Sequence, residues 1–259
     1  MTTIIKTLDG AELFTHEGEL REALRAATRA RVDLSRAVLD GADLSRADLE
    51  NMNLRRVSLR GANLRGANLE KVDLSGANLH EVNLRGANLE HADLREVVLA
   101  GANLDGANLE KARLVGANLV GLQAQGANFE GADLARANLE GANLEGSNLE
   151  DARLSEANLS RVNLRRSCVE GADLDGANLS RADVRSASLE KADLRDANLE
   201  GANFRDSSLE RAQFARANLT HACFDHASLD RCDFTGAVTT GASFHGASLD
   251  QVRGYSPAE

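Results

Sequence analysis

The chain has no tryptophan, one tyrosine and seven phenylalanines, and aromatics make up only 3% of its 259 residues. Large rings carry much of the packing in a conventional globular core, so the interior here has to be built from Leu and Ala instead. The single proline is Pro257, close to the end, so no backbone hydrogen-bond donor is lost to proline before it. Three cysteines, Cys168, Cys223 and Cys232, do not make a disulfide framework and read as reduced and unpaired. There is no secretory signal and no long apolar run, which makes a cytoplasmic location the expectation, without a membrane segment. Positive charge is short as well: 30 Lys and Arg face 40 Asp and Glu, a net −10. That balance argues against direct nucleic-acid binding and against binding to anionic membranes.

What the chain does have is one phrase, repeated. Ala-(Asn/Asp)-Leu and two variable residues recur without a break from Val32 to Val252, as in Gly101 to Glu110. The large apolar residue falls at every position ending in 4 or 9 from Leu34 to Leu249, which is forty-four repeats with no insertion. Only Ala124 and Thr239 fail to supply a large side chain there, and around Leu122 the large and small residues are exchanged. The small residue stands two places earlier, with Cys232 as one of its variants. A fixed internal period decides the architecture before local propensity does. Period five fits neither the 3.6-residue helix nor the alternation of a flat strand. Leu at one inward position and Ala at the other leave a narrow, dry interior, in which stacked coils bury one another. Asn, Asp and Ser crowd the position before Leu, where short polar side chains bond nearby backbone. Gly recurs two places after Leu, where a corner needs an unusual backbone angle.

Dozens of these units in one register resemble the pentapeptide-repeat family over about 220 of the 259 residues. The resemblance implies an all-β fold, a right-handed quadrilateral β-solenoid with four repeats to a coil and about eleven coils. In that fold Leu and the preceding Ala point inward and the other three residues outward. Some members bind DNA gyrase or topoisomerase IV as DNA mimics and protect it from poisons such as quinolones.

Four repeats to a coil would stack residues 20 apart, and one such column is acidic throughout: Glu50, Glu70, Glu90, Glu110, Glu130, Glu150, Glu170, Glu190, Glu210, Asp230 and Asp250. The parallel columns are mixed. At strand spacing of about 4.8 Å the eleven coils span roughly 50 Å. Like charges stacked at that spacing repel one another, a cost that solubility alone does not require. A second acidic concentration is central, where Glu130, Asp133, Glu140, Glu145, Glu150, Asp151 and Glu156 face only Arg136 and Arg153. The ladder, with Glu140, Glu145, Asp151 and Glu156, is the candidate partner-binding surface.

The ends differ from the middle. Residues 1–31 break the repeat, with a hairpin signal at Asp9-Gly10 and a helical stripe of Leu20, Ala23, Leu24 and Ala27. They read as an N-terminal cap on a repeat body of residues 32–252, followed by a tail of residues 253–259. Phe replaces Leu near the C-terminus, Phe204, Phe224 and Phe244 in one column and Phe214 and Phe234 in the opposite one, as stacked core rings. The tail is too short to cap the last coil, so a homodimer through the C-terminal coils is expected, because an open sheet edge invites pairing.

No catalytic constellation emerges, and no cofactor or metal is expected. Asp225, His226 and His245 could meet on consecutive coils, a weak metal signal that solvated surface residues explain far better. The Gly-Ala-Asn phrases lack the lysine of a phosphate loop. Two non-enzymatic functions follow. One is an acidic rod that imitates DNA toward DNA gyrase or topoisomerase IV, since a basic groove built for duplex DNA attracts such a rod. The other is a structural or scaffolding rod that binds another protein.

Overall fold

The computed structural model describes residues 1–30 and 32–255. It opens with a hairpin of β1 (Thr2–Lys6) and β2 (Glu12–Glu17), antiparallel and paired from Thr2 with Glu17 to Lys6 with Glu12. Gly10 takes a φ of 86° in the turn, as the Asp9-Gly10 signal requires. Helix α1 (Leu20–Arg29) follows, started by Glu22, whose carboxylate accepts the Glu19 N–H at 3.1 Å. Its buried stripe is Ala23, Leu24 and Ala27, with Leu20 half-buried beside it. These elements join the repeat body through a bridge from Thr7 to Ala37 and the Val38 N–H bonded to Lys6 O. Arg21 reaches Asp43 and Ser45 on the repeat body.

From Val38 to Arg253 the chain is a β-solenoid whose parallel bridges all link residues 20 apart, so four pentapeptides make one turn. Each turn has four flat sides and four corners, the corners at residues ending in 0/1 and 5/6. The reason for the five-residue phrase is visible in where its N–H groups go. The Leu N–H bonds the coil ahead, as Leu64 does Asn83 O at 2.7 Å, and the Asn N–H bonds the coil behind, as Asn63 does Ala42 O at 2.9 Å. The second corner residue also reaches ahead, and the Ala N–H closes the corner onto the preceding Leu carbonyl. The fifth N–H, on the residue after Leu, takes the Asn or Asp side chain: Glu90 N–H to Asn88 Oδ1 is 3.2 Å. Buried or crowded backbone donors must find partners, and Ala in place of Asn would orphan that one.

Asparagines also bond one another up a side. Asn88, Asn108, Asn128 and Asn148 each donate Nδ2 to the Asn Oδ1 one coil behind, at 3.1–3.4 Å. At every second corner residue φ is positive, in glycines and in twenty-five other residues from Arg36 to Gln251. None of those twenty-five is β-branched, as the sterics of the left-handed region demand.

Leu and Ala point inward and are buried from coil to coil, including the exchanged pair Leu122 and Ala124. The phenylalanines stack as two columns, with ring centroids 4.9 Å apart for Phe204 and Phe224, 5.2 Å for Phe224 and Phe244, and 5.0 Å for Phe214 and Phe234. The C-terminal end is less bare than the sequence implies. Tyr255 lies over the last rings, 4.6 Å from Phe244 and 5.8 Å from Phe234. Gly254 makes that placement possible, because a Cβ there would meet Thr235 Cα at 2.5 Å. Among the described residues the N–H groups of Thr239, Phe244 and Leu249 on the last coil have no backbone partner. The rest of the tail, residues 256–259, lies outside the described residues, as does Arg31.

Candidate partner-binding surface

The 20-residue turn places the eleven ladder acids along one corner, as their spacing implies. Their surroundings change along the rod. Glu110 pairs with Lys111 at 2.7 Å, Glu70 with Lys71 at 2.5 Å, and His91 stands 3.7 Å from Glu90. Lys111 also holds the Glu110 carboxyl below its ordinary range. Glu130 accepts from Asn148 Nδ2 at 3.3 Å. Beyond Cys168 the asparagine column gives way to serines, which donate to the ladder instead: Ser188 to Glu170 at 2.7 Å and Ser208 to Glu190 at 3.1 Å. Ser248 does the same for Asp230, and Gln251 donates to Asp250 at 3.1 Å. Glu150 makes no ion pair among the described residues and is exposed.

The central acids proposed as one patch do not share a side. The run from Glu130 to Glu156 is 27 residues and wraps more than one full turn, so neighbours in sequence are spread around the rod. Glu140 and Glu145 occupy the two corners of the reverse side, Glu140 beside Arg161 at 3.7 Å and Glu145 accepting from Asn163 Nδ2 at 3.4 Å. Asp151 and Glu156 do flank the ladder's own side, at its two corners. That side carries acids not singled out in the sequence, notably Asp173 at its centre and Asp175 at its far corner. Glu150, Asp151, Glu156, Glu170, Asp173 and Asp175 thus lie together across two coils, with Arg153 the one cation among them. Arg153 itself leans toward Asp133, 3.9 Å away.

The whole rod is one-sided in the same sense. From Glu50 to Arg253 the ladder's side and its two corners bear twenty-two acids against fourteen Lys and Arg. The reverse side and its corners, from Asp40 to Gly246, bear ten against ten. The outward columns of the two sides between them are Asn, Ser, Val and Cys, with Asp48 the sole charge. The signal for this was present in the sequence, but only in columns 20 apart whose residue types are mixed.

Several carboxylates away from the free patch are tied into the fold. Arg195 holds Asp193, and Arg185 holds Asp183, below the usual carboxylate range. Ser243 and then Arg205 do the same for Asp225, and Ser248 for Asp230. Each has a folded pKa below its unfolded value of about 3.9, so its contribution is full above that pH and is lost as the pH falls through the folded value. Thermal scans by circular dichroism should therefore give a midpoint that declines steeply only below about pH 4. A decline that begins near pH 6 would contradict this assignment.

Asp225, His226 and His245 do come together, with the two rings 5.6 Å apart. The Asp225 carboxylate is already occupied by Arg205 at 2.7 Å, Ser243 and the His245 N–H at 3.2 Å. Among the described residues no group of three His, Cys, Asp or Glu could hold a metal ion. Burial pushes the Cys232 thiol up to about 12, and its Sγ lies 3.0 Å from Leu209 O in the interior. No helix of the described residues is long and apolar enough to cross a membrane.

A coil of four five-residue repeats around a Leu/Ala interior defines a β-solenoid of the repeat-protein class. The chain belongs to the pentapeptide-repeat family: the family described as Pentapeptide repeats matches in eight copies, over 24–56, 33–70, 53–90, 92–131, 132–171, 157–196, 197–236 and 224–253. Among solved structures it is similar to HetL, a pentapeptide repeat protein involved in heterocyst differentiation regulation from the cyanobacterium Nostoc sp. strain PCC 7120. The two are 29% identical with a TM-score of 0.51, over 92% of this chain and 97% of HetL. Full-length QnrB1, a plasmid-mediated fluoroquinolone resistance protein, is 21% identical with a TM-score of 0.38, over 82% of this chain and 91% of that one. No curated protein matches.

Proposed function

We propose that this protein is a non-enzymatic acidic rod that imitates DNA toward a type II topoisomerase, DNA gyrase or topoisomerase IV, and modulates it or protects it from a poison. The observation that carries the reading is the one-sidedness of the charge, with twenty-two acids against fourteen bases on the ladder's side. A basic groove meets a duplex on one side at a time, and a side of excess negative charge is steered into it. In this reading the ladder from Glu50 to Asp250 forms one rim of the contact. Asp151, Glu156, Asp173 and Asp175 complete its strongest part, and Glu140 and Glu145 stand away from it.

The rod works as a right-handed solenoid of about eleven coils in the cytoplasm, without cofactor, membrane or direct nucleic-acid contact. Residues 1–31 cap its first edge, 32–252 form the working body, and 253–259 a tail. A homodimer through the open C-terminal edge doubles its length, since unpaired strand edges favour pairing.

The test is a gyrase supercoiling assay, with and without a gyrase poison, on wild type and a Glu150, Glu170, Asp173→Lys variant. Wild type is expected to alter supercoiling or rescue the enzyme, and the folded variant to need about ten- to a thousandfold more protein. If wild type leaves gyrase and topoisomerase IV unaffected, the mimic is wrong. The second reading then takes over, a scaffolding rod that binds another protein, since a regular solenoid offers a long binding surface.

A further inference from the structure

The reverse side carries a concentration of arginine that neither the family nor the topoisomerase reading uses. Arg161, Arg165 and Arg166 on one coil are followed by Arg181 and Arg185 on the next and Arg205 on the third. Three have partners: Arg161 with Glu140 at 3.7 Å, Arg185 with Asp183 at 2.5 Å and Arg205 with Asp225 at 2.7 Å. Arg165, Arg166 and Arg181 make no ion pair among the described residues, and Arg166 and Arg181 are exposed. Arg165, Arg185 and Arg205 stack on one corner, one coil apart, so cations repeat there at about 4.8 Å. Such a column favours an anion beside it.

We propose that this arginine patch docks the acidic side of a second copy of this chain, lying alongside with its axis parallel. The match is one of height and of spacing. The acids of the free patch (Glu150 to Glu156, then Glu170 to Asp175) alternate along the chain with the arginines (Arg161 to Arg166, then Arg181 and Arg185). Each set is half a turn from the next, so the two patches stand at the same level on opposite sides of the rod. A sideways shift of one molecule, without rotation, brings them face to face. Both rods share one coil rise, so setting one pair in register sets the others.

An extended acidic peptide fits less well, because its same-side residues recur at about 6.7 Å against a column of about 4.8 Å. A nucleic acid meets the same repulsion from a net charge of −10 as a second copy does, and its phosphates, about 3.4 Å apart along a strand, do not match a column of about 4.8 Å. Exposed ion pairs are individually weak and fade with salt. The association is therefore weak and salt-sensitive. Because the two docking surfaces differ, the contact does not close on itself and continues beyond a dimer.

Sedimentation velocity over a concentration series tests this, at about 10 mM ionic strength and again at about 1 M, where the screening length falls from about 30 Å to about 3 Å. Wild type should rise at least about twofold in weight-average mass at low salt and fall back at high salt. An Arg165→Ser, Arg166→Ser, Arg181→Ser variant should not rise. A control with the same charge change on the acidic side, Arg36→Ser, Arg56→Ser, Arg136→Ser, should associate as wild type does or more strongly. Circular dichroism verifies that each is folded. No rise for wild type at low salt, or a rise undiminished in the first variant, overturns the proposal. A mass that stops at two and persists at high salt reports the C-terminal dimer and likewise overturns lateral docking. The gyrase assay bears on none of these outcomes, so the two proposals fail separately.

Discussion

Replacing Phe224 with Ala is expected to cost about 3–5 kcal/mol, and to cost it at one end of the rod. The ring is fully buried. It lies between Phe204 and Phe244, stacked on each, and meets Phe214 at 5.7 Å and Phe234 at 6.5 Å edge-on. The inward residues on either side of it in the chain, Ala222 and Ala227, are too short to fill the space. Each coil touches only the coils beside it, so the lost packing is felt locally rather than shared across the molecule. Tyr255 is the only tyrosine, there is no tryptophan, and the ring rests on Phe244. Its fluorescence therefore reports the C-terminal coils, whereas far-ultraviolet circular dichroism reports all of them. In Phe224→Ala the fluorescence transition should move to lower denaturant and separate from the dichroism transition. A single coincident transition shifted by less than about 1 kcal/mol would mean that the phenylalanine columns are not what holds that end together.

The same locality explains how much of the molecule its sequence discloses. The five-residue register is written in Leu and Ala, whose burial is decided within one repeat, so solenoid, inward positions and phenylalanine columns are all legible. The need for Asn before Leu is legible too, because its Oδ1 serves an N–H only two residues away, as between Asn88 and Glu90. Sidedness is decided between residues 20 apart, and there only a uniform column announces itself. The ladder does so. The column of Asp73, Asp93, Arg113, Asp133, Arg153 and Asp173 beside it does not, because cations interrupt it. A cluster judged along the chain, such as Glu140 to Glu156, is misleading for the converse reason: five residues further on is another side of the rod. Tyr255 escapes for a third reason. It lies past the last repeat, where position is set by the close approach of Gly254 to Thr235 and not by the period.

The exchanged repeat offers the sharpest test of how the interior is shared. Leu122 follows Ala102 and precedes Ala142 in its column, and Ala124 stands between Leu104 and Leu144. Both exchanged residues are fully buried. Leu122→Ala leaves two small residues on one side and opens a cavity, at an expected cost of about 2–5 kcal/mol. Ala124→Leu puts two large ones there and overpacks the side, at about 1–3 kcal/mol. Made together, the two changes restore the ordinary order of the repeat and conserve its volume. The double variant should lie within about 1.5 kcal/mol of wild type, as volume-conserving exchanges do. The two substitutions would then be coupled by about 3 kcal/mol, measurable as a double-mutant cycle by urea denaturation. Additive costs would mean that the two inward positions of a repeat occupy separate spaces, each fitted to its own residue. Near-complete rescue would mean that they share one, so that the narrow interior fixes the summed volume of a side and leaves the order of large and small within it free.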